Sequence, residues 1–308
     1  MRIAVMGAGA LGGYFGAHLA HAGHEVAFIA RGAHLKAMRS DGLRIQSPRG
    51  DLHLTSIEAT DDPASVRPAD LVMVSVKLWD TERAAEAARQ LLKPGGAAVS
   101  FQNGVQKDQV LTRVLGNESV MGGVGYIAAT IGEPGLIIHT GAMQKLAFGE
   151  FDGRRSARAE AFLRACNEAG IDAELSEDIS RRIWEKFVFL VGMSAATTSI
   201  RQPIGPIRSN PDTRGFLLDL MREVLAVAHR TGLKLPADFA DRQLGVCDRL
   251  PAEMTSSMHQ DLKRGNRLEL PWLSGHVVAL GRDMGVPTPC NRAISDILAL
   301  YTKGVPAQ

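Results

Sequence analysis

The stretch Met1-Arg2-Ile3-Ala4-Val5-Met6-Gly7-Ala8-Gly9-Ala10-Leu11-Gly12 decides the fold. Arg2 to Met6 is a short apolar run of the kind that forms a buried strand, and it ends in glycines. Leu11 to Ala22 carries a helical pattern stopped by Gly23, and Glu25 to Ala30 is a second run rich in β-formers. The glycines therefore lie inside a strand–helix–strand unit, with the spacing G-x-G-x-x-G. In that setting Gly7 permits a tight turn, Gly9 lets the backbone approach a pyrophosphate, and Gly12 lets the helix pack on the strand. Phosphate would then sit at the helix N-terminus. A glycine-rich turn with no ligand is the competing reading, because 32 glycines can produce the pattern by chance. The preceding strand and following helix favour a dinucleotide loop formed by Gly7, Ala8, Gly9, Ala10, Leu11 and Gly12.

The end of the second strand bears on which dinucleotide. An NAD site usually carries an acid there, about 20 residues beyond the glycines, to hold the ribose 2′-hydroxyl. Here the strand ends Phe28-Ile29-Ala30-Arg31-Gly32, with a cation instead, and Glu25 lies too early for that role. Arg31 can pair with a 2′-phosphate, which predicts NADPH; an ordinary solvated loop arginine is the alternative.

Alternation continues beyond this unit. Asp70-Leu71-Val72-Met73-Val74-Ser75-Val76-Lys77 is the clearest buried strand, followed by a helix from about Thr81 to Leu92 that Lys93-Pro94-Gly95-Gly96 breaks. Further strands are expected at Ala97–Phe101 and Val120–Gly125, with a helix near Gln106–Leu115 between them. After about Phe151 helical patterns dominate: 156–169, 177–199, 212–231, 236–248 and 289–302. The reading is an α/β chain: a doubly wound parallel sheet over residues 1–170, then an all-helical domain over 171–308.

Composition agrees. A length of 308 residues predicts two domains, and 45% apolar with 22% charged residues is ordinary for a globular protein. A net charge of +2 marks neither a nucleic-acid nor a membrane partner, and no apolar run reaches membrane-spanning length. Three cysteines without a C-x-x-C pair, and apolar structure that starts at Arg2 with no room for a signal peptide, predict a cytoplasmic protein. His18, His21 and His24 recur every three residues, but Gly23 ends the helix before His24, so no metal site is expected. A homo-oligomer is neither required nor excluded.

The chemistry candidate lies in Ile183-Trp184-Glu185-Lys186-Phe187-Val188-Phe189-Leu190. Lys186 is flanked by apolar residues in a chain whose basic positions are mostly arginine. A lysine can snorkel, with its stem on the apolar face and its head in water. Desolvated, it can instead donate a proton to a carbonyl oxygen as hydride reaches the carbon. Downstream, Ser257 and Asp261 are i, i+4 on one helix face, and Gly265-Asn266 places Glu269 at the next segment. By default these are solvated polar residues. Asn103-Gly104 reads as a turn, yet it follows a parallel strand, where loops line the ligand crevice.

Together these residues resemble the ketopantoate reductase (2-dehydropantoate 2-reductase) family, nearly end to end. The resemblance rests on the Gly7–Gly12 opening, Arg31, Ser75-Val76-Lys77, Gln102-Asn103-Gly104, Trp184-x-Lys186 and the Ser257…Asp261…Glu269 spacing. It implies a Rossmann-type domain, a helical domain and an active site in the cleft between them. It also implies that Lys186 is the general acid and that Glu269 holds the lysine and ligand. Asn103 would contact the nicotinamide ribose and orient substrate, Ser257 would bind the substrate carboxylate, and Lys77 would lie near the nicotinamide.

The implied reaction is NADPH-dependent reduction of 2-dehydropantoate to (R)-pantoate in pantothenate biosynthesis. This chain has Leu190 and Ser194 where better-known members place asparagines, Ile204 in place of a further asparagine, and Pro271 in place of an acid. Leu190 and Ser194 are thus the substrate-pocket positions where it departs. That more apolar side leaves open a bulkier 2-ketoacid, as in the D-2-hydroxyacid dehydrogenases of the superfamily. A protein that senses NADPH without turnover is a third reading.

Overall fold

The structure is a computed structural model and describes residues 1–305. Ten strands run in chain order: β1 Arg2–Met6, β2 Glu25–Ile29, β3 Leu43–Gln46, β4 Leu52–Leu54, β5 Glu58–Thr60, β6 Ala69–Val74, β7 Leu92–Ser100, β8 Val120–Glu133, β9 Leu136–Gly149 and β10 Asp172–Leu175. The helices of this half are α1 Ala10–His21, α2 Gly32–Asp41, α3 Thr81–Leu91, α4 Lys107–Leu115 and α5 Ala157–Glu168.

Strands β5-β2-β1-β6-β7-β8 are all parallel, in the order of a doubly wound dinucleotide-binding sheet. The near-continuous apolar sequences of β1, β2 and β6 follow from burial on both faces. Ile3 and Val5 of β1 join Phe28, Leu71, Met73 and Phe162 in one core cluster. Ala4 and Met6, pointing the other way, join Val72, Val74, Ala88 and Leu111 in a second. Each large side chain buried this way contributes roughly 1.5–3 kcal/mol.

The sheet is not wholly parallel, contrary to the sequence reading. β8 runs on past Gly125 to Glu133 and turns back at Pro134-Gly135 into β9, with which it pairs antiparallel. Gly135 has φ +79°, the left-handed conformation such a turn needs. The glycines at 122, 123 and 125 hid this long strand, and they serve packing: a Cβ on Gly123 would meet Val99 Cγ1 at 2.6 Å. β3 and β10 then add parallel to β9, and β4 adds antiparallel to β3.

The remaining helices are α6 Ile179–Ile200, α7 Ile204–Ser209, α8 Pro211–Arg230, α9 Phe239–Cys247, α10 Ser257–Lys263, α11 Ser274–Met284 and α12 Pro289–Ile297. The second half is helical as the sequence implied. Its core includes Phe187, Val188, Val191, Leu217, Leu220, Met221 and Val224. Glu223 of α8 accepts from the backbone N–H groups of Cys290 (2.7 Å) and Asn291 (2.9 Å), satisfying the start of α12.

The chain divides into two compact units between Arg182 and Ile183, within α6, rather than at 170/171. The reason is β10 and its ion pairs. Glu174 on that strand holds Lys145 of β9 at 2.8 Å and Arg182 at 2.7 Å, which ties the first turn of α6 to the sheet. None of the described helices is long and apolar enough to cross a membrane.

Candidate active site

The strand order reverses between β1 and β6, so the crevice of the first unit opens at their carboxyl ends. Both sequence motifs arrive there. The Ser75 N–H donates to the Met6 carbonyl at 2.8 Å, and Gly7 has φ +96°. A Cβ on Gly7 would lie 2.7 Å from Val76 N, so only glycine lets the turn lie against the 75–77 segment. A Cβ on Gly12 would press on the Gly7 carbonyl oxygen and on Ser75. Gly9 differs: a Cβ there meets nothing within 4 Å.

Gly9 is also the N-cap of α1, and no side chain caps that helix. The first-turn N–H groups lack intrahelical partners by construction and carry the positive end of the helix dipole. An uncapped helix start beside open space at Gly9 is the cradle a pyrophosphate requires. These residues fit a dinucleotide.

His34 supports the loop and was not singled out in the sequence. Its Nδ1 accepts from the Gly135 N–H at 3.1 Å, which leaves Nε2–H to donate to the Ala8 carbonyl at 2.9 Å. Burial pushes its pKa down, so the ring is held neutral in this bridging form.

Arg31 lies at the end of β2, as N-cap of α2, with an exposed side chain. Its guanidinium is 3.5 Å from the Asp80 carboxylate, which Arg83 approaches from the other side at 3.7 Å. The sequence reading did not anticipate this acid beside the cation. Lys77 is exposed, with its ammonium 5.8 Å from the centre of the Trp79 ring.

Asn103 is half-buried in the loop after β7, and two clasps hold that loop. Gln102 donates through Nε2 to the Val76 carbonyl and to Thr81 Oγ1, both at 2.9 Å, while its Oε1 accepts from Ser100 Oγ at 2.9 Å. Lys107 opens α4 and is 1% exposed. Its ammonium donates to both Asp108 carboxylate oxygens at 2.8 Å and to the Ser100 and Gly123 carbonyls at 3.1 Å. Burial pushes the lysine pKa down and the aspartate pKa up, and the attraction between the two opposes both shifts. Removing either partner alone would strand a buried charge, at a cost of about 3–5 kcal/mol. The sequence reading singled out neither Lys107 nor Asp108.

In the second unit Lys186, Leu190 and Ser194 recur at i, i+4, i+8, a single stripe along α6. Lys186 and Leu190 are half-buried, whereas Ser194 is 1% exposed. The hydroxyls of Ser194 and Thr198, one turn apart, are buried without a hydrogen-bond partner. Thr197 Oγ1 lies 2.8 Å from Ser256 Oγ, the N-cap that accepts from the His259 N–H. This contact docks the start of α10 on α6 and carries the exposed Ser257 into the first turn of α10. Asp261 lies a turn further along α10, and Glu269 is 8% exposed at the mouth of the 3₁₀ turn 270–272. Ile204 is fully buried at the start of α7, and Pro271 is exposed in that 3₁₀ turn. The sequence candidates thus form two groups: the glycine loop, Arg31, Lys77 and Asn103 at the carboxyl edge of the sheet, and Lys186, Leu190, Ser194, Ser257 and Glu269 among the helices.

Known proteins resemble this chain along its length. Residues 3–153 match the family "Ketopantoate reductase PanE/ApbA", and residues 178–302 match "Ketopantoate reductase PanE/ApbA C terminal". The chain is 32% identical over 307 residues to the 2-dehydropantoate 2-reductase of Archaeoglobus fulgidus, covering 99% of both chains. The crystal structure of 2-dehydropantoate 2-reductase from Geobacter metallireducens GS-15 superposes with a TM-score of 0.91 at 31% identity, over 98% of this chain and 100% of that one. D-mandelate dehydrogenase, solved in a ternary structure with NADH and anilino(oxo)acetate, has a TM-score of 0.89 over 98% of both chains. At 21% identity that likeness is one of fold. A chain matched by both the N-terminal and the C-terminal ketopantoate reductase family models, and along its length by a curated member, is an oxidoreductase of the ketopantoate reductase family.

Proposed function

We propose that the protein reduces 2-dehydropantoate to (R)-pantoate with NADPH, as a cytoplasmic enzyme of pantothenate biosynthesis. The observation that carries this reading is the 32% identity along 307 residues with the reductase of A. fulgidus. The uncapped glycine loop supports a nicotinamide dinucleotide, and Arg31 in place of an acid after β2 supports a 2′-phosphate on it.

NADPH, when bound, supplies the hydride that C2 of the ketoacid receives. The rest falls to the chain. Lys186 donates a proton from Nζ to the former carbonyl oxygen and stabilises the negative charge that develops there. Glu269 holds that ammonium in position and contacts the ligand. Ser257, exposed at the start of α10, binds the substrate carboxylate through its hydroxyl. Asn103 contacts the nicotinamide ribose and orients the ketoacid, and Lys77 lies near the nicotinamide. Leu190 and Ser194 line the side that receives the hydroxyl-bearing tail of the substrate.

The test is NADPH consumption by the purified protein against a panel of 2-ketoacids, with the product identified. Pantoate formation, with the highest kcat/KM for 2-dehydropantoate, is expected. A clear preference for an aromatic or bulkier 2-ketoacid would overturn the substrate assignment.

A further inference from the structure

The buried Lys107–Asp108 pair lies outside every role assigned above, yet it closes the loop that carries Asn103. The loop leaves β7 at Ser100 and re-enters regular structure at Lys107. Lys107 then reaches back to the Ser100 carbonyl at 3.1 Å, so the two ends of the excursion are joined by one ammonium. The same ammonium takes the Gly123 carbonyl of β8 at 3.1 Å, so the closure is anchored to two adjacent parallel strands. Asp108 fixes the ammonium from the first turn of α4 with both carboxylate oxygens. Gln102 separately ties the loop to Val76, against which the glycine turn lies.

Lys107 and Asp108 are both buried, at 1% and 6% exposure, so the pair is largely withdrawn from solvent. A desolvated pair is a poor source of stability when an apolar pair could fill the same space, and its better use is to fix one arrangement of backbone.

We propose that Lys107, held by Asp108, is a positioning residue for Asn103: it locks the 101–106 loop so that the Asn103 amide is preset for the nicotinamide ribose and ketoacid. This rests on the reading of Asn103 given under Proposed function. Fixing a side chain before the ligand arrives raises turnover by removing misaligned states, so its loss falls on kcat more than on cofactor binding.

Lys107→Met alone would leave Asp108 buried and unpaired, so the variant to make is Lys107→Met/Asp108→Leu, which removes both charges together. Three readouts are taken on the full chain: hydrogen exchange of the 101–106 amides, NADPH affinity by fluorescence titration, and steady-state kinetics with 2-dehydropantoate. Amide exchange in 101–106 should rise at least tenfold while the strand amides of β7 and β8 stay protected. NADPH affinity should hold within about twofold and kcat should fall at least tenfold. In an Asn103→Ala background the same double change should lower kcat by less than twofold, because the residue it positions is gone.

Unchanged loop exchange overturns the proposal, and so do equal kinetic losses in the presence and absence of the Asn103 side chain. A wild-type protein inactive on every 2-ketoacid would overturn the functional reading instead, and the exchange measurement would still judge the loop.

Discussion

Gly9 and Gly12 are two glycines of one motif with opposite surroundings, and alanine at each should separate cofactor binding from folding. At Gly9 the backbone has φ −75° and ψ −160°, which any residue adopts, and a Cβ meets nothing within 4 Å. Gly9→Ala should therefore leave the apo protein as stable as wild type, or firmer by about 0.4–1 kcal/mol because the unfolded chain is less free. The added methyl projects into the space assigned to the pyrophosphate, displacing it from backbone N–H donors. A hydrogen bond to a charged group contributes about 1.5–3 kcal/mol, so losing one weakens NADPH binding by roughly 10- to 150-fold.

At Gly12 the Cβ would press on the Gly7 carbonyl oxygen and stand 3.0 Å from both Ser75 Cβ and Val5 Cγ1. Backbone lies on one side and packed strand on the other, so Gly12→Ala carries an overpacking cost of about 1–3 kcal/mol. The melting transition of the first unit should drop by several degrees. The assay is thermal unfolding of both apo variants together with an NADPH fluorescence titration. Wild-type NADPH affinity in Gly9→Ala, or wild-type stability in Gly12→Ala, would refute the reasoning.

Two other perturbations give direct readouts. Arg31→Ala should lower the NADPH/NADH ratio of kcat/KM at least tenfold, because a charge-assisted contact to the 2′-phosphate is lost. Asp80→Asn should raise that ratio up to about fivefold, since an exposed pair is worth at most about 1 kcal/mol and its removal frees Arg31 for the phosphate. Equal ratios across wild type, Arg31→Ala and Asp80→Asn would remove Arg31 from cofactor selection.

His18 supplies a pH prediction. Burial, then the nearby positive charges of His21, His139 and Arg49, lowers its pKa from 6.5 to about 4. The unfolded chain therefore binds the proton first as pH falls. Stability conferred by the neutral ring is intact above pH 6.5 and is lost between 6.5 and about 4. The full shift corresponds to about 3 kcal/mol, and the ring's partial exposure reduces that to roughly 1–3 kcal/mol. Denaturant unfolding of wild type and His18→Gln from pH 7 to 4 should show the variant losing less stability over that interval; parallel curves would refute the shift.

The legible part of this molecule was the part written in short-range pattern. The strand–glycine–helix opening, the buried β6 and the helical second half each follow from hydrophobic period and breaker residues within a few positions. The hairpin of β8 and β9 did not follow, because Gly122, Gly123 and Gly125 read as breaks although they are sites of close packing. β10 was missed for another reason: four residues gain their strand character only by pairing with Lys145–Phe148. That pairing also carries the division of the chain past 170.

Site residues divide in the same way. Gly7 and Gly12 announce themselves in sequence by their spacing between a strand and a helix. His34, Gln102, Lys107 and Asp80 each act through at least one partner that one sequence does not reveal, as far as 101 residues away for His34.

The most direct test of the ketoreductase assignment is turnover of 2-dehydropantoate with NADPH by Lys186→Ala beside the wild type, with NADPH affinity measured on both. General acid catalysis typically contributes about 10²–10⁴-fold, so kcat should fall by at least two orders of magnitude while NADPH affinity holds within about twofold. Near-wild-type turnover by Lys186→Ala, with an active wild type, would contradict the assignment of Lys186 as the proton donor.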